Sequence, residues 1–441
     1  MFAVCDGGIF MYRKITRFLE SWKKSEYRKP LILQGARQVG KTYSILEFGR
    51  KAYENVAYFN FETNPKLNET FDENISPDYL IPILSHISGQ TIVKDKTLIV
   101  FDEVQLCERA LASLKYFCEE APDYHIIVAG SLLGVAVNRK GFSFPVGKVD
   151  MKTLYPMDME EFMMAMGEND LVNQIRKCYE TDTPMPSALH DAAMQLYRQY
   201  LIVGGMPECV MQFAETKDYI LVRHTQDTIL ASYLNDMSKY NNLNEIKKTR
   251  LTYNNITVQL SKKNTRFQYK LIKKGGRASE FENAIEWLCL SGIVSQVYRV
   301  EQIRKPLENY RDIDAFKIYV SDSGLLCAKE DIAPTDILYM VEELNDFKGG
   351  MTENYVNIQL SINGYHTYYW ESGTEAEIDF VIQREGQIIP IEVKSADNTR
   401  ARSLKVYMDT YKPAYAIKLS AKNFAFEDNK KIVPLYAAFC I

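Results

Sequence analysis

Histidine and tryptophan are scarce in this chain, at five and three copies among 441 residues. The histidines (His86, His125, His190, His224 and His366) stand singly and read as ordinary structural residues. The eight cysteines are scattered as well, with no CxxC pair and no Cys/His cluster. That leaves neither a clustered ligand set for zinc nor a disulfide framework, and it is the usage of a reducing compartment. Long apolar runs are missing too. The longest, "HIIVAGSLLGVAV" from His125 to Val137, falls well short of the roughly 20 residues a membrane span needs. The first ten residues carry Asp6 and two glycines where a signal peptide has a basic start and an apolar core. They read as an appendage before a more natural start at Met11, and the expected location is the cytoplasm. No segment is low-complexity. The net charge of −4 averages over several domains and argues neither for nor against nucleic acid.

What is present begins with "LILQGARQVGKTYSI". Strand-like Leu31–Gln34 runs into Gly35-x4-Gly40-Lys41-Thr42, and a helical stretch follows. Strand, glycine loop and helix in that order define a phosphate-binding loop. Residues Gly35, Ala36, Arg37, Gln38, Val39, Gly40, Lys41, Thr42 and Tyr43 are its expected nucleotide contacts. Glycines let backbone N–H groups turn inward on phosphate oxygens, and the helix N-terminus adds positive charge. Lys41 is expected at the β- and γ-phosphates of ATP, and the Thr42 hydroxyl on Mg2+.

Downstream, "TLIVFDEVQ" is a continuous apolar run that ends in Asp102-Glu103, the pattern of a buried parallel strand with acids at its C-terminal end. Asp102 is expected to hold Mg2+, and Glu103 to orient or deprotonate the attacking water. A third run, "HIIVAGS", places Ser131 where it either senses the γ-phosphate or serves as a plain loop serine. With "VAYFNFE" and "VDMKTLYPM" supplying further strands, the alternation predicts a parallel sheet with helices on both faces.

The set "GARQVGKT", "FNFE", "IVFDEVQ", "AGS" and "LYPMDMEEF" resembles a bacterial and archaeal group of AAA-type ATPases that carry a C-terminal domain of unknown function. The resemblance covers residues 11–400 and extends to a Gly-Gly-x-Pro turn at Gly204-Gly205-Met206-Pro207. It implies Gly-Arg where this chain has Gly147-Lys148, and lysine lacks the bidentate fork of arginine. Arg109 and Arg139 are then alternative donors of an arginine finger, and both also read as solvated surface charges. A homo-oligomer is a further implication, since many such relatives complete one subunit's site with its neighbour.

From Asn241 to Ser279 ten basic residues face a single acid, Glu245, with Tyr253, Phe267 and Tyr269 interleaved. The order helix, turn, helix, then strands near "IVSQVYRV" and "AFKIYVSD" suggests a winged helix, as the family does. The basic surface at 247–277 is either a footprint for DNA phosphates or a solvated face.

The last stretch, "EAEIDFVIQREGQIIPIEVKSA", reads as a hairpin turning at Glu385-Gly386. Pairing about that centre sets residues opposite when their numbers sum to 771, so Asp379 faces Glu392 and Glu377 faces Lys394. Opposed carboxylates repel unless a cation lies between them. Asp379 with Glu392-x-Lys394 matches the PD-(D/E)xK pattern of restriction-endonuclease-like folds, and Glu353 on the preceding helix could add a third acid. The expected ligands of a nuclease Mg2+ are Glu353, Asp379 and Glu392, with Lys394 catalytic. A merely charged strand face, or a degenerate fold that binds without cutting, reads the same residues otherwise.

The expectation is an α/β protein. Residues 11–165 form a P-loop ATPase core after the 1–10 appendage, and 166–240 a helical lid or linker. A basic winged-helix-like domain follows at 241–330, then a restriction-endonuclease-like α/β domain at 331–441. Its expected function is Mg2+-dependent ATP hydrolysis acting on or with DNA. The alternative is a signal-transducing NTPase switch whose nuclease-like domain docks a protein.

Overall fold

The computed structural model describes residues 11–130, 144–239, 243–260, 266–373, 376–395 and 402–441. Two compact units emerge. One comprises Tyr12–Tyr155 with Leu290–Gly292, and the other is built from Pro156–Cys289 and Ile293–Ile441. The first stretch of the smaller unit ends at Tyr155.

In the first unit, five strands form an all-parallel sheet: β1 (Leu31–Gln34), β2 (Asn55–Asn60), β3 (Thr97–Asp102), β4 (His125–Ala129) and β5 (Asp150–Thr153). Their order is β2-β3-β4-β1-β5, so the expected parallel α/β sheet is present. All six residues of β3 are buried, as a strand covered on both faces demands. Phe59, Phe61 and Phe71 each meet Phe101 edge-on, with ring centroids 5.6–5.9 Å apart. That aromatic hub fixes the end of β3, one residue before Asp102. Helix Lys41–Ala52 springs directly from the glycine loop and buries Ile45 and Phe48 against the core. Ligands of open parallel sheets bind beyond the carboxyl ends of the strands; here β1 and β3 end in the loop and the acids.

The second unit carries a mixed eight-stranded sheet. Its strands are β6 (Val294–Val300), β7 (Arg311–Val320), β8 (Tyr368–Glu371), β9 (Glu377–Arg384), β10 (Gln387–Val393), β11 (Ala416–Ser420), β12 (Ala425–Glu427) and β13 (Lys430–Pro434). They lie in the order β12-β13-β11-β10-β9-β8-β6-β7. Three helices, Leu243–Leu260, Tyr269–Ile272 and Ala278–Leu290, precede the antiparallel β6–β7 hairpin, where the sequence reading had two. That hairpin does not stand apart as a wing. β6 pairs in parallel with β8, so the segments separated at 330/331 in the sequence reading share one sheet.

The β9–β10 hairpin pairs Gln387 with Arg384 and so on to Ile391 with Phe380, the register in which residue numbers sum to 771. Glu385 and Gly386 both take positive φ, 48° and 74°, which is the turn geometry that matches strand twist. On its other side β9 is irregular. Tyr368 pairs with Val381 and Trp370 with Ile378, so Asp379 and Phe380 together oppose Tyr369 alone. Such a bulge re-aims side chains. Ile378 and Val381 both enter the core that includes Trp370 and Tyr407, whereas strict alternation would put them on opposite faces.

Helix Asn345–Ile362 buries polar residues as fasteners. Asn354 donates to Val320 O and accepts from Val320 N at 3.1 and 2.7 Å. Asn357 donates to Ser295 Oγ at 2.8 Å, and Gln359 Oε1 accepts from Met159 N at 3.1 Å. "LYPMDMEEF" continues this network through a capping box, in which Asp158 accepts from Glu161 N and Glu161 accepts from Asp158 N.

The Gly-Gly-x-Pro turn has a steric cause. A Cβ on Gly205 would stand 1.9 Å from Met157 O, and Gly204 has φ +74° with Asp322 Oδ1 at 2.2 Å from its would-be Cβ. Gly205 N donates to Asp322 Oδ2 at 2.6 Å and Met157 N donates to Gly205 O at 2.6 Å. Asp322 Oδ1 also caps helix Ser323–Lys329 by accepting from Leu325 N at 2.8 Å. Gly205→Ala should lower the unfolding free energy by about 3 kcal/mol in a denaturant titration. Burial raises the Asp322 carboxyl to about 6. The folded chain therefore keeps a proton there that the unfolded chain has released. Stability should fall as pH rises from about 4 to 6, by up to about 3 kcal/mol, and Asp322→Asn should flatten that decline.

Candidate functional site

The glycine loop closes on itself through Lys41. Its Nζ donates to Gly35 O at 2.9 Å and Ala36 O at 2.7 Å, which places the ammonium inside the loop rather than in solvent. Gly35 sits so close to Leu154 O that a Cβ would lie 2.1 Å away. Gln38 and Gly40 take positive φ, 65° and 90°, and these turn the backbone between Ala36 and Lys41. Burial lowers the Lys41 ammonium to about 8, against the opposing pull of Glu103 and Asp102.

Asp102 is 5% exposed and its Oδ2 accepts two hydroxyls, from Thr42 at 2.8 Å and from Tyr58 at 2.7 Å. Its Oδ1 accepts from Glu103 N at 3.0 Å. Glu103 has left-handed backbone, φ 52°, which swings its side chain out of the strand direction. Gln105 Nε2 donates to Glu103 Oε2, and burial raises the Glu103 carboxyl. Lys41, Thr42, Asp102 and Glu103 thus converge on one site at the ends of β1 and β3. A hydroxyl and a carboxylate already in contact, beside a buried ammonium, fit a Mg2+-bound nucleotide, which brings most of the metal's ligands itself.

Two participants escaped the sequence reading. Arg13 is buried and donates to Val39 O at 2.9 Å and Tyr155 O at 2.7 Å, bracing the loop from behind; an isolated arginine before the first strand gives no pattern to find it by. Tyr58 sits within "VAYFNFE" on β2, but only the β2–β3 register, which sets Tyr58 beside Val100 and Asn60 beside Asp102, brings its hydroxyl to Asp102. Ser131 and Arg139 lie outside the described residues. Arg109 donates to Phe71 O at 2.6 Å, and Lys148 pairs with Glu119 at 2.8 Å. Both are engaged with local partners.

In the second unit the acids of the hairpin meet lysines. Lys394 Nζ lies 2.7 Å from Glu392 Oε1. Lys317, on β7 and 1% exposed, reaches Glu377 at 2.6 Å and Glu353 at 3.3 Å. Tyr319 OH donates to Glu353 at 2.9 Å, and Val393 N donates to Asp379 Oδ2 at 2.7 Å. Burial, then the neighbouring Glu353, pushes the Asp379 carboxyl up to about 8. Glu392 Oε2 is buried without a hydrogen-bond partner among the described residues. No three His, Cys, Asp or Glu side chains there are arranged to hold a metal ion. Lys317 Nζ stands between Glu353 and Glu377, in the space a cation shared by those two acids would need.

Within 247–277, Lys247, Arg250, Arg266, Lys270, Lys273, Lys274 and Arg277 are exposed, while Lys262 and Lys263 lie outside the described residues. Of the three interleaved aromatics, Tyr269 is half-buried and the other two are not a surface feature. Tyr253 and Phe267 are buried, and Phe267 stacks on Phe316 at 5.3 Å.

Residues 27–163 match the family model of the AAA domain, and with the geometry above this makes the segment an AAA-type P-loop ATP hydrolase domain. Residues 194–336 and 348–438 match two domains of unknown function (DUF8612 and DUF4143). No curated protein matches the sequence. Among solved structures, a Walker-type ATPase of Pyrococcus abyssi is 13% identical, covering 73% of this chain and 96% of its own, with a TM-score of 0.45. The Aeropyrum pernix ORC2 protein is 10% identical over 76% and 96% of the two chains, with a TM-score of 0.37. The Thermotoga maritima RuvB Holliday junction branch migration motor is 12% identical over 68% and 91%, with a TM-score of 0.29. Likenesses this distant carry no weight for this chain. No helix among the described residues is long and apolar enough to cross a membrane.

The lowered Lys41 predicts a pH signature. Phosphate favours the charged ammonium, so nucleotide binding should take up a proton once pH exceeds about 8. Nucleotide affinity measured by calorimetry should weaken steadily from pH 7 to 9.5, and Lys41→Ala should bind too weakly to show the trend.

Proposed function

We propose that the chain is a Mg2+-dependent ATPase that works on DNA, with the second unit making the nucleic-acid contact. The observation that carries the ATPase half is the 2.8 Å contact between Thr42 and Asp102 beside the buried Lys41. In this reading the backbone from Gly35 to Tyr43 cradles the phosphates, and Lys41 meets the β- and γ-oxygens. Thr42 and Asp102 are the protein's Mg2+ holders, while Tyr58 keeps Asp102 oriented. Mg2+, when bound, neutralises charge on the phosphates. Glu103, with its raised carboxyl and its Gln105 tether, accepts the proton of the attacking water.

The exposed basic residues between 247 and 277 supply the DNA half. Their charge suits phosphate contacts, whereas the buried Tyr253 and Phe267 argue against bases stacking there. That burial also favours a second reading, a nucleotide-controlled switch in which the unit docks a protein partner.

Glu103→Gln should retain ATP binding while steady-state hydrolysis falls by about 10²- to 10⁴-fold. Replacing Lys270, Lys274 and Arg277 together by Ala should weaken duplex DNA binding and flatten its salt dependence by roughly 2 to 3 units of slope. DNA should raise the wild-type hydrolysis rate and leave the triple variant unstimulated. Hydrolysis indifferent to DNA, with unchanged DNA affinity in the triple variant, would instead support the switch.

A further inference from the structure

Lys317 is a charged side chain at a position where charge is expensive. It lies on β7, far in sequence from the hairpin, and is only 1% exposed. Burial works against its ammonium, and Glu377 at 2.6 Å and Glu353 at 3.3 Å are the carboxylates that offset that cost. A buried ammonium persists only when carboxylates surround it, and here they come from two elements: Glu353 on helix Asn345–Ile362, and Glu377 and Asp379 on β9. These include two of the acids that a metal-dependent phosphodiester site would use, and the bulge at Asp379/Phe380 belongs to the same stretch of β9.

We infer that the Lys317 ammonium is a built-in cation that takes the place of a divalent metal in the Glu353/Glu377/Asp379 cluster, so that the acidic hairpin is assembled and functions without one. The inference rests on reading that cluster as a site, but not on whether the unit binds DNA. One ammonium balances roughly one of several clustered acids, and Lys394 at Glu392 adds a second at the rim. Together they do the electrostatic work that would otherwise fall to Mg2+. The ammonium carries three donors and offers no exchangeable coordination sphere, so it can hold the carboxylates together without activating a water as a metal does. Glu392 Oε2, buried and unpartnered among the described residues, marks where a divalent ion would report itself if the cluster accepted one.

The test is Mn2+ binding to the nucleotide-free full-length chain, followed by calorimetry and by paramagnetic broadening of water relaxation. Wild type should show no Mn2+ site that depends on the hairpin: Asp379→Asn and Glu392→Gln should leave its titration unchanged. Lys317→Met should create a Mn2+ site and a Mn2+-dependent rise in Tm, both removed by adding Glu353→Gln. Wild-type binding that is lost in Asp379→Asn or Glu392→Gln would overturn the inference, as would a folded Lys317→Met that takes up no Mn2+. Should Lys317→Met fail to fold, the wild-type titration against Glu392→Gln decides alone. DNA affinity of the same preparations is measured separately, so loss of the DNA reading leaves the metal result standing.

Discussion

A carboxylate that is 5% exposed must find partners or lose its charge, and Asp102 finds them in two hydroxyls and a backbone N–H. Each donor arrives from a different element: Thr42 from the helix after the loop, Tyr58 from β2 and Glu103 from the chain that leaves β3. The parallel register and the aromatic hub at Phe101 exist in the form that lets them meet. Arg13 performs the corresponding task behind the loop, where its guanidinium satisfies Val39 O and Tyr155 O. The nucleotide site is therefore held in shape by hydrogen bonds that need no nucleotide.

The second unit is organised by buried polar side chains to an unusual degree. Asn354 substitutes for a neighbouring strand at Val320, Gln359 satisfies Met159, and Asp322 joins the Gly205 turn to a helix cap. Unsatisfied, each would be destabilising by about 1–3 kcal/mol. Satisfied, they fix which segments touch. Lys317 belongs to the same logic, with charge in place of neutral donors.

Local signals in the sequence were enough for some features and silent on others. The glycine loop, the apolar β3 with its terminal acids and the 771 register of the hairpin are short-range patterns, governed by strand period, turn chemistry and loop conformation. Contacts across long separations left no such trace. Lys317 looked like one lysine in a wing strand because its partners lie 36 residues away at Glu353 and beyond. The bulge at Asp379/Phe380 was invisible because alternation on the β10 side is undisturbed. The merging of β6–β7 with β8–β13 rests on two residue pairs between β6 and β8, which no periodicity encodes. Tyr253 and Phe267 were misjudged as a surface feature for a related reason: aromatics among lysines suggest a nucleic-acid face, yet here both are buried, Phe267 stacked on Phe316.

Asp102 gathers the nucleotide site, and steady-state ATP hydrolysis by Asp102→Asn in Mg2+ is the decisive measurement. The amide can still accept from Thr42 and Tyr58 but carries no charge for the metal. Turnover should be lost while the chain stays folded, and the Mg2+ concentration needed for any residual activity should rise sharply. Turnover at the wild-type rate and the wild-type Mg2+ dependence would contradict this role for Asp102.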